Sequence, residues 1–283
     1  MADQAQKLRE LVKTNKGARV VSVSSGKGGV GKSFFSVNLA VALSRNSVRT
    51  LVIDADFGLA NVDVMLGATS KYNLTHFLSG EKTLDEIIQL GHHGVSFISG
   101  GSGLKDLFEL NEEQVEKLLQ GMTKLEHPFD FIIIDTGAGV NETVLQMALS
   151  SSEAIVITTT EPTAILDAYA FVKMLHKRNN TLPMHIVVNK YENEKEAKLV
   201  LDGFLEFIGK HLGKNLNPLG FIMYDQAVIH SIKRQTPIIA ESKSGEIGSQ
   251  IEQIARALVD IPNDNPPQGV FSKLFSRFKA ANK

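Results

Sequence analysis

Residues 19–38, RVVSVSSGKGGVGKSFFSVN, constrain this chain more than any other stretch. A short run rich in valine leads into a glycine turn and then into a segment able to start a helix, which is the order that a phosphate-binding loop requires. Gly26, Gly31, Lys32 and Ser33 complete the spacing G-x-x-x-x-G-K-[ST]. Glycines let the backbone wrap closely round a polyphosphate, so that several N–H groups point inward at a helix N-terminus. Lys32 is then placed to reach the β- and γ-phosphates, and Ser33 to offer its hydroxyl to Mg2+. A Gly/Ser linker with stray lysines would lack the strand before it and the helix behind it.

The pattern that follows extends this beginning into a fold. Helices are predicted over 33–44, 111–125, 164–177, 194–211 and 245–258, with one or two short helices inside 73–90. Strands are predicted over 50–54, 95–99, 130–135, 154–159, 185–189 and 218–223. Strands separated by helices pair in parallel through right-handed crossovers, so the expected fold class is α/β, a three-layer P-loop NTPase fold with a mostly parallel central sheet. The segment IPNDNPPQG, residues 261–269, breaks the pattern and reads as a tether. The expected divisions are therefore 1–17, an amino-terminal helix and connector; 18–260, the P-loop domain; 261–269, the linker; and 270–283, an amphipathic helix.

Composition narrows the chemistry. The 283 residues carry a net charge of −1, which gives no support to a broad nucleic-acid-binding surface, and no specific nucleic acid is expected as a partner. There is no cysteine, which excludes disulfides, thiolate zinc sites and iron–sulfur ligation. No stretch has the form of a secretory signal or of a membrane span, so a cytoplasmic location is expected. Phosphoryl transfer to water needs a metal, positive charge at the γ-phosphate and a group that positions the water. Acids at the carboxyl ends of parallel strands face the ligand crevice, and Asp54, Asp56 and Asp135 all stand at such ends.

Lys27 makes the loop more specific, because GKGGVGKS resembles the deviant Walker A signature of the MinD/ParA family of P-loop ATPases. The resemblance implies ATP/ADP and Mg2+ as cofactors and an ATP-dependent homodimer, in which Lys27 reaches across to the nucleotide of the other subunit. It implies nucleotide contacts from Gly28, Gly29, Val30, Gly31, Lys32, Ser33 and Phe34. DADFGLANVD resembles the family's switch I, which gives Asp56 the role of orienting the hydrolytic water and Asp54 a place in the metal shell with Ser33. IIIDTGAG resembles switch II, with Asp135 holding a metal-bound water and Gly137 sensing the γ-phosphate. By the same resemblance Asn189, in VVNKY, and Tyr224, Asp225 and Gln226, after GFIM, frame adenine; turn formation is the alternative reading of these residues.

The two ends read as addresses. Val270, Phe271, Leu274, Phe275 and Phe278 share one sector of a helical wheel, while Lys273, Arg277 and Lys279 lie in the other and no acid is present. A helix of that length suits an anionic membrane surface, where two copies in a dimer bind through avidity; docking on the body is the alternative. The run DQAQKLR near the start resembles the activator motif of the flagellar-number regulators within the family. There the helix engages the signal-recognition-type GTPase FlhF, a role carried here by Asp3, Gln4, Ala5, Leu8 and Arg9. Flagellar switch components or a flagellar transcription regulator are further implied partners, and the expected location is the inner face of the membrane, at a pole. DNA partition and division-site placement are the competing functions.

Overall fold

The computed structural model describes residues 17–56, 61–101, 112–241 and 245–261. The amino-terminal helix and the carboxy-terminal amphipathic segment expected from the sequence lie outside these residues, and so does 57–60 of the switch I stretch.

Eight strands form one sheet: β1 (Arg19–Ser25), β2 (Thr50–Ala55), β3 (Gln89–Leu90), β4 (Ser96–Ile98), β5 (Phe131–Ala138), β6 (Glu153–Thr158), β7 (Met184–Tyr191) and β8 (Asn217–Met223). Their spatial order is β3-β4-β2-β5-β1-β6-β7-β8, and every pair is parallel except β3 with β4. β1 stands between β5 and β6, at the point where the chain stops adding strands on one side and begins on the other. In open α/β sheets ligands bind beyond the carboxyl ends of the strands at such a point, which is where the glycine loop emerges.

The side chains alternate across the sheet and make it a middle layer. Val21 and Val23 of β1, with Ile133 of β5 and Ile155 of β6, share a core with α1 (Lys32–Arg45) and α10 (Gly245–Asp260). On the opposite face, Ile132 and Ile134 meet α3 (Leu74–Ser79), α4 (Leu84–Ile87) and α5 (Glu112–Leu125). Also on that face, Ala154 and Val156 meet α6 (Glu142–Ser150), α7 (Pro162–Arg178) and α8 (Glu194–Leu212). α1 is apolar nearly all round, and eleven of its residues are buried. Such a helix belongs inside a large core rather than on a surface.

Some elements depart from the expectation. The end of 73–90 is not helix: Gln89 and Leu90 form a two-residue antiparallel edge strand, too short for any periodicity to register. Three helices were not expected, namely α6, α2 (Val62–Met65) and α9 (Gln226–Lys233). No helix among the described residues is long and apolar enough to cross a membrane.

Candidate nucleotide site

The glycine loop is built by close approach. A Cβ on Gly26 would lie 2.2 Å from the backbone oxygen of Asp167 in α7, so no larger residue fits where the loop leaves β1. Gly31 has φ +97°, and a Cβ there would lie 2.3 Å from the amide nitrogen of Asn189. α1 begins directly behind Gly31 with no side-chain cap, which leaves its first amides open to an anion. Lys32 is buried, and burial pulls its pKa down while the charges of Asp135 and Asp56 push it up. Burial outweighs the two carboxylates, so the Lys32 pKa lies below that of a free lysine.

Lys27 points elsewhere. Its Nζ donates to Oε2 of Glu161 at 2.7 Å and to the hydroxyl of Thr163 at 2.8 Å, both at the start of α7. The Lys27 ammonium holds Glu161 below the usual carboxylate range. In this structure Lys27 is thus engaged within its own chain.

The acids converge at one level of the sheet. Asp54 and Asp135 are register partners in the β2–β5 ladder, and Asp135 pairs with Val23 of β1. Asp135 accepts a 2.8 Å hydrogen bond from the Ser36 hydroxyl at Oδ1, while its buried Oδ2 has no hydrogen-bond partner. Burial raises its pKa to about 6, against the pull of Ser33, Ser36 and Lys32. Asp54, expected in a metal shell, uses both oxygens on backbone amides. Oδ1 accepts from Asp56 at 3.1 Å, and Oδ2 accepts from Asn61 at 2.9 Å and Val62 at 3.1 Å. Asp54 thereby ties the backbone of Asp56 to that of Asn61 and Val62. Burial and the neighbouring charge of Asp135 raise Asp54 to about 7. Asp56 lies across from Gly137, where a Cβ would be 3.7 Å from the carboxylate.

A cavity of about 460 Å3 opens above these strand ends. Its wall includes Gly28, Gly29, Gly31, Lys32, Ser33, Phe34, Asp56, Asn189, Tyr224 and Asp225, so the phosphate loop, one switch acid and the expected base residues come together. Gln226 opens α9 outside this wall. Asp225 also caps α9, accepting from the Ala227 amide at 2.8 Å, so the turn-forming and cavity-lining readings of this residue hold together. Asn189 donates its amide to the Val30 carbonyl at 2.7 Å. Sequence reasoning missed an apolar rim of Met65, Met223, Val228, Ile229 and Ile232, and it missed Lys190. Val228, Ile229 and Ile232 share a face of α9, and that i, i+1, i+4 spacing was the available signal.

The cavity fits a magnesium nucleotide. The unpartnered Oδ2 of Asp135 is buried against the start of α1, where Ser36 bonds the other oxygen, and Ser33 is in the cavity wall.

Comparison with known proteins agrees with this geometry. The ParA family model, described as NUBPL iron-transfer P-loop NTPase, matches residues 16–259. The chain is 30% identical over 251 residues to the antiactivator FleN of Pseudomonas aeruginosa, covering 89% of this chain and 90% of FleN. It is 32% identical over 279 residues to the flagellum site-determining protein YlxH of Helicobacter pylori, covering 92% and 91%. The cell division ATPase MinD of Pyrococcus furiosus has the same fold, with a TM-score of 0.69 at 24% identity over 87% of this chain and 100% of that one. MinD of Pyrococcus horikoshii complexed with Mg-ADP also shares the fold, with a TM-score of 0.68 at 24% identity over 86% of this chain and 96% of that one. With its glycine loop, its parallel sheet and a family match running from before β1 into α10, the chain belongs to the MinD/ParA family of P-loop ATPases.

Proposed function

We propose that this ATPase is a flagellar-number and placement regulator that binds Mg-ATP, pairs with a second copy, associates with the membrane and resets by hydrolysis. The observation that carries this reading is the match to FleN and YlxH along nine-tenths of both chains, combined with a phosphate loop that lines the cavity through Gly28, Gly29, Gly31, Lys32 and Ser33. Bound Mg2+ would be held by Ser33 and, through water, by Asp135, and it would neutralise charge on the phosphates. Lys32 and the amides at the start of α1 grip the β- and γ-phosphates. Asp56 orients the attacking water, Gly137 meets the γ-phosphate, and Asp54 holds the backbone of Asp56 through its amide. Lys27 leaves Glu161 to reach the partner's nucleotide.

Tyr224 and Asp225 frame the adenine. Residues 270–283 supply the membrane contact through Phe271, Leu274, Phe275 and Phe278, and the amino-terminal residues Asp3, Gln4, Ala5, Leu8 and Arg9 engage the GTPase FlhF. The test is a strain lacking the gene, complemented with wild type, Lys32→Ala or Asp56→Ala, in which flagella per cell are counted. The expected result is abnormal number or position, restored by the wild type alone. Normal flagellation with displaced division septa would support the division-site reading instead, which the MinD relatives keep in view.

A further inference from the structure

Two adjacent side chains at the end of β7 hold two adjacent carbonyls in the middle of the glycine loop. Lys190 Nζ donates to the Gly29 carbonyl at 2.7 Å, and Asn189 Nδ2 donates to the Val30 carbonyl at 2.7 Å. Neighbouring residues of a regular strand point to opposite faces of the sheet, so two in a row cannot ordinarily reach one loop. Here the β7–β8 register shifts between Asn189 and Tyr191, and Lys190 sits in the left-handed region at φ 58°. That conformation is costly for a lysine and persists where the surroundings over-determine it, frequently at a functional site.

The consequence follows from the planarity of the peptide bond. In a trans peptide the N–H points opposite to the C=O, and no described peptide is cis. With the Gly29 carbonyl drawn to Lys190, the N–H of Val30 turns away from β7. With the Val30 carbonyl drawn to Asn189, the N–H of Gly31 turns the same way. Consecutive amides facing one side are what a phosphate nest consists of. The contact with Asn189 also leaves no room for a Cβ on Gly31, so loop and clasp are fitted to each other.

We propose that Asn189 and Lys190 are positioning residues: a two-pronged clasp that orients the Val30 and Gly31 amides toward the β- and γ-phosphates. This rests on the nucleotide-site reading above. It moves the main task of Asn189 from the base to the loop, and leaves selection of the base to Tyr224 and Asp225.

The test is equilibrium binding of ATP, ADP, AMP, GTP and inorganic tripolyphosphate, with magnesium, to wild type and to Lys190→Met, Lys190→Arg and Lys190→Gly. Lys190→Gly relaxes the left-handed backbone but has no amine, so it separates strain from hydrogen bonding. The expected result is a loss of about tenfold for ATP, ADP and tripolyphosphate in Lys190→Met and Lys190→Gly, the size of one hydrogen bond to a charged group. AMP affinity and the ATP-to-GTP preference stay unchanged, Lys190→Arg recovers part of the loss, and unfolding midpoints show every variant folded. A changed ATP-to-GTP preference with unchanged tripolyphosphate affinity would overturn the clasp in favour of base reading. Wild-type affinities in all variants would overturn it alone, whereas a wild type that binds none of the probes overturns the nucleotide site itself.

Discussion

Asp56 and Asp54 are two residues apart and do different work. Asp56 is in the cavity wall, whereas Asp54 is buried beneath it with both oxygens on backbone amides. Asp56→Ala is therefore expected to keep nucleotide affinity and to lose turnover by at least about 100-fold, the usual worth of a group that positions water or moves its proton. Comparing single-turnover hydrolysis with equilibrium binding checks this, and unchanged hydrolysis counts against it. The pair Asp54 and Asp135 gives a pH signature. Burial raises them to about 7 and about 6, while the same groups in the unfolded chain ionise near pH ~4. Between those values the folded state binds more protons, so stability of the nucleotide-free protein falls as pH rises from about 4 to about 7. Asp54→Asn removes one of the two titrations and should flatten that slope in urea unfolding at pH 5 and pH 8. Parallel slopes in variant and wild type would contradict the assignment.

At the scale of elements, the opposite end of the sheet carries a second set of buried charges. Arg19 opens β1 and pairs with Glu153 at the start of β6, its Nη2 donating to Oε2 at 2.8 Å. His185 of β7 meets the same oxygen at 2.6 Å, and Arg19 Nη1 donates to the Leu258 carbonyl near the end of α10 at 2.7 Å. Burial would lift Glu153, but hydrogen bonds and charge from Arg19 and His185 outweigh it and hold its pKa below the usual range. Glu153→Ala strands Arg19 in the interior and should cost about 3–5 kcal/mol in chemical unfolding, with nucleotide affinity unchanged in the folded fraction. A loss under about 1 kcal/mol would show that the cluster is not a brace. None of this cluster was legible in the sequence, because Arg19, Glu153 and His185 lie far apart along the chain and only strand order brings them together. β1, β2 and β5 were legible because strands buried on both faces are rich in apolar β-branched residues. The glycine loop was legible because its chemistry fixes its spacing. α6 was missed, although Asn141 caps it by accepting from the Val144 amide at 2.9 Å and its apolar residues keep helical spacing. Lys190 had no signature at all, since a left-handed lysine at a bulge looks like any strand residue in one dimension.

The whole molecule comprises an α/β body, whose cleft contains the phosphate loop, and two end segments given roles by proposal. Removing residues 270–283 is expected to abolish co-sedimentation with anionic vesicles in the presence of Mg-ATP and to leave nucleotide binding intact; equal sedimentation of the shortened protein would contradict the membrane role. Gel filtration with ADP and then ATP should show a larger species with ATP alone, and Lys27→Ala should remain monomeric in both. All of these depend on the grip of the glycine loop on a polyphosphate. Calorimetric titration of wild type and Lys32→Ala with ATP and magnesium tests that grip most directly: saturable binding by the wild type, weakened at least about 100-fold in Lys32→Ala by loss of a charge-assisted contact to phosphate, is the expected outcome. Absence of binding by the wild type, or equal affinity in the two proteins, would contradict it.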